Sequence, residues 1–292
     1  MFPFKAYDTP EEEIADINNA KLCIGTNGEV FHLYDFQEEF IRDLYEKKYV
    51  SALKSRRCGF SVLYLLHIIF SLRKYLETYG FIETKNIEYL FISFNGASCK
   101  QVKEVANRIF EEMRPTYGRT SELKELFGEC VRIFPASSIR EKMMWNIGRR
   151  PEGFKEVYFD EYNFFETYED VINSMYTRTY GTVAGATSLT DGKNVPYSKI
   201  EEWMYHKGNE DGGFSGEYIP WWKNPVFNKN LEWVRGNVHE KEPTIDEEGN
   251  VKFDRQRWAE RLVDGWTPSS PEMNKMKGIF FDKDKISELL FH

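Results

Sequence analysis

Paired cysteines are missing from this chain, and so is any long apolar run. Its four cysteines, Cys23, Cys58, Cys99 and Cys130, are widely spaced without a CxxC pair, and the five histidines do not cluster with them. A zinc site is therefore not expected. Scattered thiols fit a reducing compartment, with most of them buried as small apolar groups. The most apolar run, 62–72, has 11 residues and is interrupted by His67 and Ser71. A bilayer span needs roughly 20 apolar residues, so this run reads as a buried helix and no membrane association is expected. The opening stretch MFPFKAYDTPEEEIAD is acidic and lacks the basic start and apolar centre of a secretory signal. Positive charge is not in excess either. With a formal charge of −8, the chain does not coat nucleic acid over its whole surface, although a local basic patch can still contact DNA.

What is present is ordinary for a soluble globular protein: 292 residues, 41% apolar and 29% charged, enough for one large domain or two modest ones. Aromatics, at 16%, are abundant and expected to fill the core. Residues 1–30 read as an acidic arm ending at a turn near 25–28. Phe36, Phe40, Ile41 and Leu44 recur at helical spacing, ahead of a short strand at 49–53. A polar turn at 54–59 then leads into a long helix over 60–79. Apolar strands are expected at about 89–93, 130–134, 157–159 and 182–184, with a helix over 100–113 presenting Val102, Val105, Ile109 and Met113 on one side. Such alternation argues for an α/β fold, a mainly parallel sheet covered by helices, with ligands at the edge where the strands end. That core is expected over 31–192. Residues 193–292, rich in tryptophan, charge and turn signals, read as a small C-terminal lid or linker subdomain, with Trp203, Trp221, Trp222 and Trp233 assigned to its core.

Four short segments carry chemistry. Lys54-Ser55-Arg56-Arg57-Cys58-Gly59-Phe60-Ser61 lies between a strand and a long helix. A phosphate loop needs curled backbone amides, a helix N-terminus, a lysine and a hydroxyl for Mg²⁺. Gly59 permits close approach and Ser61 stands where the hydroxyl belongs, but Phe60 occupies the usual lysine position. Lys54 at the front of the loop has a stem long enough to fold back to the phosphates. The same octapeptide also fits a basic surface turn before a core helix.

Glu156-Val157-Tyr158-Phe159-Asp160-Glu161 reads as a buried strand delivering two carboxylates to the sheet edge. Asp160 can hold a hydrated Mg²⁺, and Glu161 can orient and deprotonate a water. Solvated acids at a strand end are the plainer alternative. Val183-Ala184-Gly185-Ala186-Thr187-Ser188-Leu189 is another strand ending in hydroxyls, expected beside the phosphate-loop strand, where Thr187 or Ser188 can sense a phosphate; it also fits a simple turn. Upstream, Tyr34 and Gln37 in Leu33-Tyr34-Asp35-Phe36-Gln37 can receive an adenine, or merely start a helix capped by Asp35.

In this order, over about 33–192, the segments resemble the ATPase domain of the large terminase subunit of tailed bacteriophages. The loop is similar to a deviant terminase form whose lysine sits at the loop's start, and Ser93-Phe94-Asn95-Gly96-Ala97-Ser98 is similar to the family's segment after its second strand. The resemblance implies a P-loop NTPase of the ASCE type, with ATP and Mg²⁺ as cofactors. It gives Lys54, with the loop Ser55, Arg56, Arg57, Cys58, Gly59, Phe60 and Ser61, to the nucleotide phosphates. Ser61 and Asp160 go to the metal, Glu161 to catalysis, and Ala186-Thr187-Ser188 to the coupling motif. Arg56 is a candidate charge stabiliser in cis, and Arg149 in Gly148-Arg149-Arg150 is a candidate finger for a neighbouring subunit, although both arginines of that pair also fit a solvated loop.

The partners implied are double-stranded DNA, a portal protein and a small terminase subunit, around a homo-oligomeric ring on a procapsid in the host cytoplasm. No nuclease domain is expected, since the 100 residues of 193–292 are too few. A helicase-like DNA-dependent ATPase shares the loop and the acidic strand but usually needs a second similar domain. A non-catalytic nucleotide-binding assembly module is kept open by Phe60.

Overall fold

The computed structural model describes residues 5–24, 28–55, 57–138, 153–165, 171, 175, 178–188, 215–219, 223–228, 230–235, 238–240 and 255–272. The chain forms two compact units. The larger comprises Met1–Leu53, Gly59–Thr187 and Gly192–Glu217, and the smaller Lys54–Cys58, Ser188–Asp191 and Tyr218–His292.

The larger unit begins with a helix where the acidic composition suggested an arm. In α1 (Pro10–Asn19), the Thr9 hydroxyl accepts from the Glu12 amide at 3.3 Å, Pro10 opens the first turn and Glu11, Glu12 and Glu13 favour its positive end. Ile14 and Ile17 are buried, and so is Glu13. Helix α2 (Asp35–Glu46) buries the expected stripe of Phe36, Phe40, Ile41 and Leu44. Strand β1 (Tyr49–Lys54) leads through the loop to α3 (Phe60–Tyr79), which is apolar nearly all round and therefore central. There follow α4 (Phe81–Thr84), β2 (Tyr89–Ser93), α5 (Gly96–Met113), α6 (Thr120–Cys130), β3 (Val131–Pro135), β4 (Glu156–Asp160), β5 (Val183–Ser188) and β6 (Ser215–Ile219). The sheet order is β3-β2-β4-β5-β1-β6. The β2–β3, β2–β4 and β4–β5 pairs are parallel, and every residue of β2 and β4 is buried. This is the mainly parallel sheet between helices that the apolar strands predict. As expected, the strand ending in Thr187 and Ser188 lies beside β1.

Helix α3 runs over β4 in the opposite direction, and three contacts record the match. His67 meets Glu156 at 2.8 Å, Tyr64 stacks on Tyr158 with ring centroids 4.2 Å apart, and Ser61 meets Asp160 at 2.7 Å. Three helical residues advance about 4.5 Å and two strand residues about 6.6 Å, close enough for one helix face to follow one strand face.

The contact far from the strand ends is a buried ionic cluster. His67 Nδ1 donates to Glu13 Oε1 at 2.6 Å and Nε2 to Glu156 Oε2 at 2.8 Å. Lys5 Nζ bonds Glu156 Oε1 at 3.2 Å and Thr182 Oγ1 at 2.9 Å, while Tyr45 donates to Glu13 Oε2 at 2.7 Å. Burial disfavours the charged imidazole, but Glu13 and Glu156 on either side outweigh it and raise its pKa to about 9. Burial also opposes the Glu156 charge; Lys5 and then His67 win, holding this carboxyl well below the usual range.

In the smaller unit, β7 (Glu232–Arg235) pairs antiparallel with β8 (Val238–Glu240) and β9 (Thr267–Ser269), alongside α7 (Pro225–Asn228) and α8 (Arg255–Val263). Trp233 is buried there as a core residue, with the Arg261 guanidinium 5.8 Å from its ring centre. Trp203, Trp221 and Trp222 lie outside the described residues. None of the four cysteines is in a disulfide; Cys58, Cys99 and Cys130 are buried and Cys23 is exposed. Among the described residues, no helix is long and apolar enough to cross a membrane.

Candidate functional site

In the larger unit, the first turn of α3 and the end of β4 bring together two of the residues singled out in the sequence. Ser61, in the first turn of α3, donates from Oγ to Asp160 Oδ1, the last residue of β4, at 2.7 Å. Asp160 is buried. Ser93 is the register partner of Asp160 on β2, so both side chains leave the same face of the sheet. The Ser93 hydroxyl is buried with no hydrogen-bond partner, a costly arrangement that a water or ligand oxygen would relieve.

The loop before α3 has left-handed backbone at Arg57 (φ 61°) and at Gly59 (φ 75°). Such residues curl the chain so that successive amides can converge on an anion. A Cβ built on Gly59 would lie 2.9 Å from Gln37 Nε2, so glycine is needed here for space as well as conformation. Gln37 is buried, and its Oε1 accepts the Tyr34 amide at 3.0 Å. Its amide thus braces the start of α2 against the loop. The Phe60 ring points into the core, stacked on Phe36 at 6.1 Å and edge-on to Phe40 at 4.9 Å. Only the Phe60 backbone remains to meet an anion.

Ser55 and Cys58 close the loop on itself, with Oγ and Sγ 3.0 Å apart, and the Ser55 amide donates to the Ile219 carbonyl at 3.0 Å. Lys54 is buried at the end of β1, and its ammonium donates to Ser188 Oγ at 3.2 Å. Arg56, Arg149 and Arg150 lie outside the described residues.

Glu161 follows Asp160 in a left-handed conformation, φ 56° and ψ 48°. Its amide donates to the Ala186 carbonyl at 2.8 Å, and the Asn163 amide donates to Thr187 Oγ1 at 3.0 Å. Tyr162 turns back over the sheet to a hydroxyl–hydroxyl bond with Ser51 of β1 at 2.6 Å. Ser51 and Tyr162 lie outside the motifs read in the sequence, and Ser93 and Gly185 lie inside quoted segments that give neither of them a role of its own. The roles of Ser93 and Ser51 depend on register and long-range contact, which leave no local pattern.

Chemically, a hydroxyl and a carboxylate at hydrogen-bond distance offer two hard oxygen ligands. Among the described residues, no group of three or more His, Cys, Asp or Glu can hold a metal. The Ser61 and Asp160 oxygens can supply part of the shell of a hard cation such as Mg²⁺, which commonly keeps waters and phosphate oxygens among its six ligands.

Fold and site together define an α/β protein with a mainly parallel sheet and a serine–aspartate pair at its strand ends. No protein-family model matches the chain, and no curated protein matches it. Among solved structures it is similar to the large terminase ATPase domain of Thermus phage P74-26, at 12% identity and TM-score 0.42, over 74% of this chain and 88% of that one. A point mutant of that domain matches over the same shares at 12% identity and TM-score 0.43.

Proposed function

We propose that this chain binds MgATP at the ends of β1, β4 and β5 and hydrolyses it, as the motor ATPase of a DNA-packaging large terminase. The observation that carries the reading is the Ser61–Asp160 contact, 99 residues apart in sequence and 2.7 Å apart in space. Loop and acidic strand were each ambiguous alone; their meeting is what a metal–nucleotide seat requires. Strand order supports it as well, since β5 is inserted between β1 and β4, the arrangement of an ASCE-type P-loop NTPase.

Ser61 and Asp160 hold the metal side of the nucleotide, Lys54 pairs with phosphate oxygen, and the amides around Gly59 line the anion. When bound, Mg²⁺ neutralises charge on the phosphate oxygens. Glu161 takes the proton from a water as its oxygen attacks the γ-phosphorus and ADP departs. Ser93 offers its unpartnered hydroxyl to ordered water beside Asp160. Arg56 or Arg149 supplies charge to the γ-phosphoryl group. Double-stranded DNA as substrate, the portal and small subunit as partners, and a ring in the host cytoplasm are what the resemblance to large terminases implies.

Binding of a fluorescent ATP analogue tests the site. With Mg²⁺ present, Lys54→Ala and Ser61→Ala are each expected to weaken binding at least about tenfold, the worth of one charge-assisted contact. Chelating the metal should weaken the parent far more than Asp160→Ala. Equal affinity in the parent and all three variants, with and without metal, would sink the assignment. A second reading, a nucleotide-binding module without turnover, draws on the Phe60 ring being committed to the core, which leaves no ammonium at that position. Sustained phosphate release from the parent protein excludes it.

A further inference from the structure

We infer that Tyr162 is a positioning residue for the Glu161 carboxylate, holding the turn after β4 through a hydroxyl bond to the phosphate-loop strand. This rests on the proposed role of Glu161. A left-handed residue other than glycine is strained and persists only where its surroundings over-determine it. Three fasteners do so here. Two run to β5: the Glu161 amide to the Ala186 carbonyl at 2.8 Å, and the Asn163 amide to Thr187 Oγ1 at 3.0 Å. The third passes over β5 to reach β1, where Tyr162 and Ser51 hydroxyls meet at 2.6 Å in a buried setting.

That crossing is possible because β5 carries Gly185 beneath the ring. A Cβ there would stand 3.1 and 3.2 Å from two Tyr162 ring carbons and 3.3 Å from Phe159 Cβ. Any side chain at 185 would press on the ring and loosen its bond. Ser51 lies three residues before Lys54 on the same strand. One hydroxyl pair therefore joins the strand that ends in Lys54 to the turn that carries the Glu161 carboxylate. A tyrosine serving only as packing would not need its hydroxyl seated on that strand.

Amide hydrogen exchange in the full chain tests this directly. In Tyr162→Phe and in Ser51→Ala, the Glu161 and Asn163 amides are expected to exchange about tenfold faster, as loss of one hydrogen bond implies. Amides of β2 should not change. ATP turnover should fall about tenfold in each, with KM for ATP within about twofold, and the double variant should lose no more than either single. Gly185→Ala should reproduce both effects. Unchanged exchange at Glu161 and Asn163 in both single variants overturns the proposal, as does additive loss in the double variant. If the parent hydrolyses no ATP, the ATPase reading fails while exchange still decides whether Tyr162 holds the turn.

Discussion

Glu161→Gln should reduce ATP turnover by about two to four orders of magnitude while leaving MgATP affinity within about twofold, the loss typical of a removed general base. The substitution keeps size and shape. It also leaves the Glu161 backbone bond to Ala186 in place, so the turn survives. What disappears is a group able to take a proton from water at neutral pH. Asp160, next in line, is assigned to the metal in this account and so does not replace the missing base. The split between rate and affinity separates this residue from Asp160, whose loss should damage metal-dependent binding itself. Phosphate release under single-turnover conditions, beside equilibrium binding, measures both quantities. A Glu161→Gln protein that keeps a third or more of the parent rate would show that the carboxylate is not the base.

The second large effect lies at the other end of the same strand and concerns stability. His67→Leu removes the cation between Glu13 and Glu156, which are 0% and 2% exposed. Two carboxylates are then left facing each other in a region of low dielectric. Removing one partner of a buried ionic group typically costs about 3–5 kcal/mol, and a loss of that size is expected in urea unfolding.

The parent should also show a pH signature. Its imidazole pKa is raised from 6.5 to about 9 on folding, so its stabilisation is complete below about pH 6.5 and fades as pH rises through 9. At roughly 1.4 kcal/mol per pH unit, the full change is at most about 3.5 kcal/mol. Glu156 works the other way. Its depressed pKa contributes stability above the ordinary carboxylate range that is lost as pH falls. Maximal stability is expected between about pH 5 and 6.5, with a drop by pH 9 that His67→Leu abolishes. A parent equally stable at pH 6 and pH 9 would contradict the charged state assigned to His67.

The cluster also explains what the sequence conceals. Residues 1–30 look like a solvated acidic arm because Glu11, Glu12 and Glu13 dominate the eye. Yet Ile14 and Ile17 share a helix face, and Glu13 is buried because His67, 54 residues later, supplies its counter-charge. Local composition cannot signal a partner at that distance. The central sheet was legible for the opposite reason: strands buried on both faces are continuous apolar runs, as in β2 and β4. Helix α3 was equally plain, a stretch apolar all round beginning just after Gly59.

The site was legible in part. Ser61 and Asp160 could be named from motif spacing, and Gly59 from its place before a helix. Phe60 stood out as a departure from the usual lysine, but its packing against Phe36 and Phe40 is a matter of tertiary contact. Gln37 fits either a base-binding amide or the start of a helix in the sequence; in the structure its Oε1 accepts the Tyr34 amide and its Nε2 lies where a Cβ at Gly59 would stand. Tyr162 and Ser51, 111 residues apart, could not have been paired from the chain alone.

The central claim is that Ser61 and Asp160 form the metal side of a nucleotide seat, and a structure determined with Mg²⁺ and a non-hydrolysable ATP analogue tests it most directly. The account predicts that the Ser61 hydroxyl turns from Asp160 to the metal, that Asp160 stays beside it, and that Lys54 meets a phosphate oxygen. An intact Ser61–Asp160 hydrogen bond with the nucleotide bound elsewhere, or not bound at saturating concentration, would contradict it.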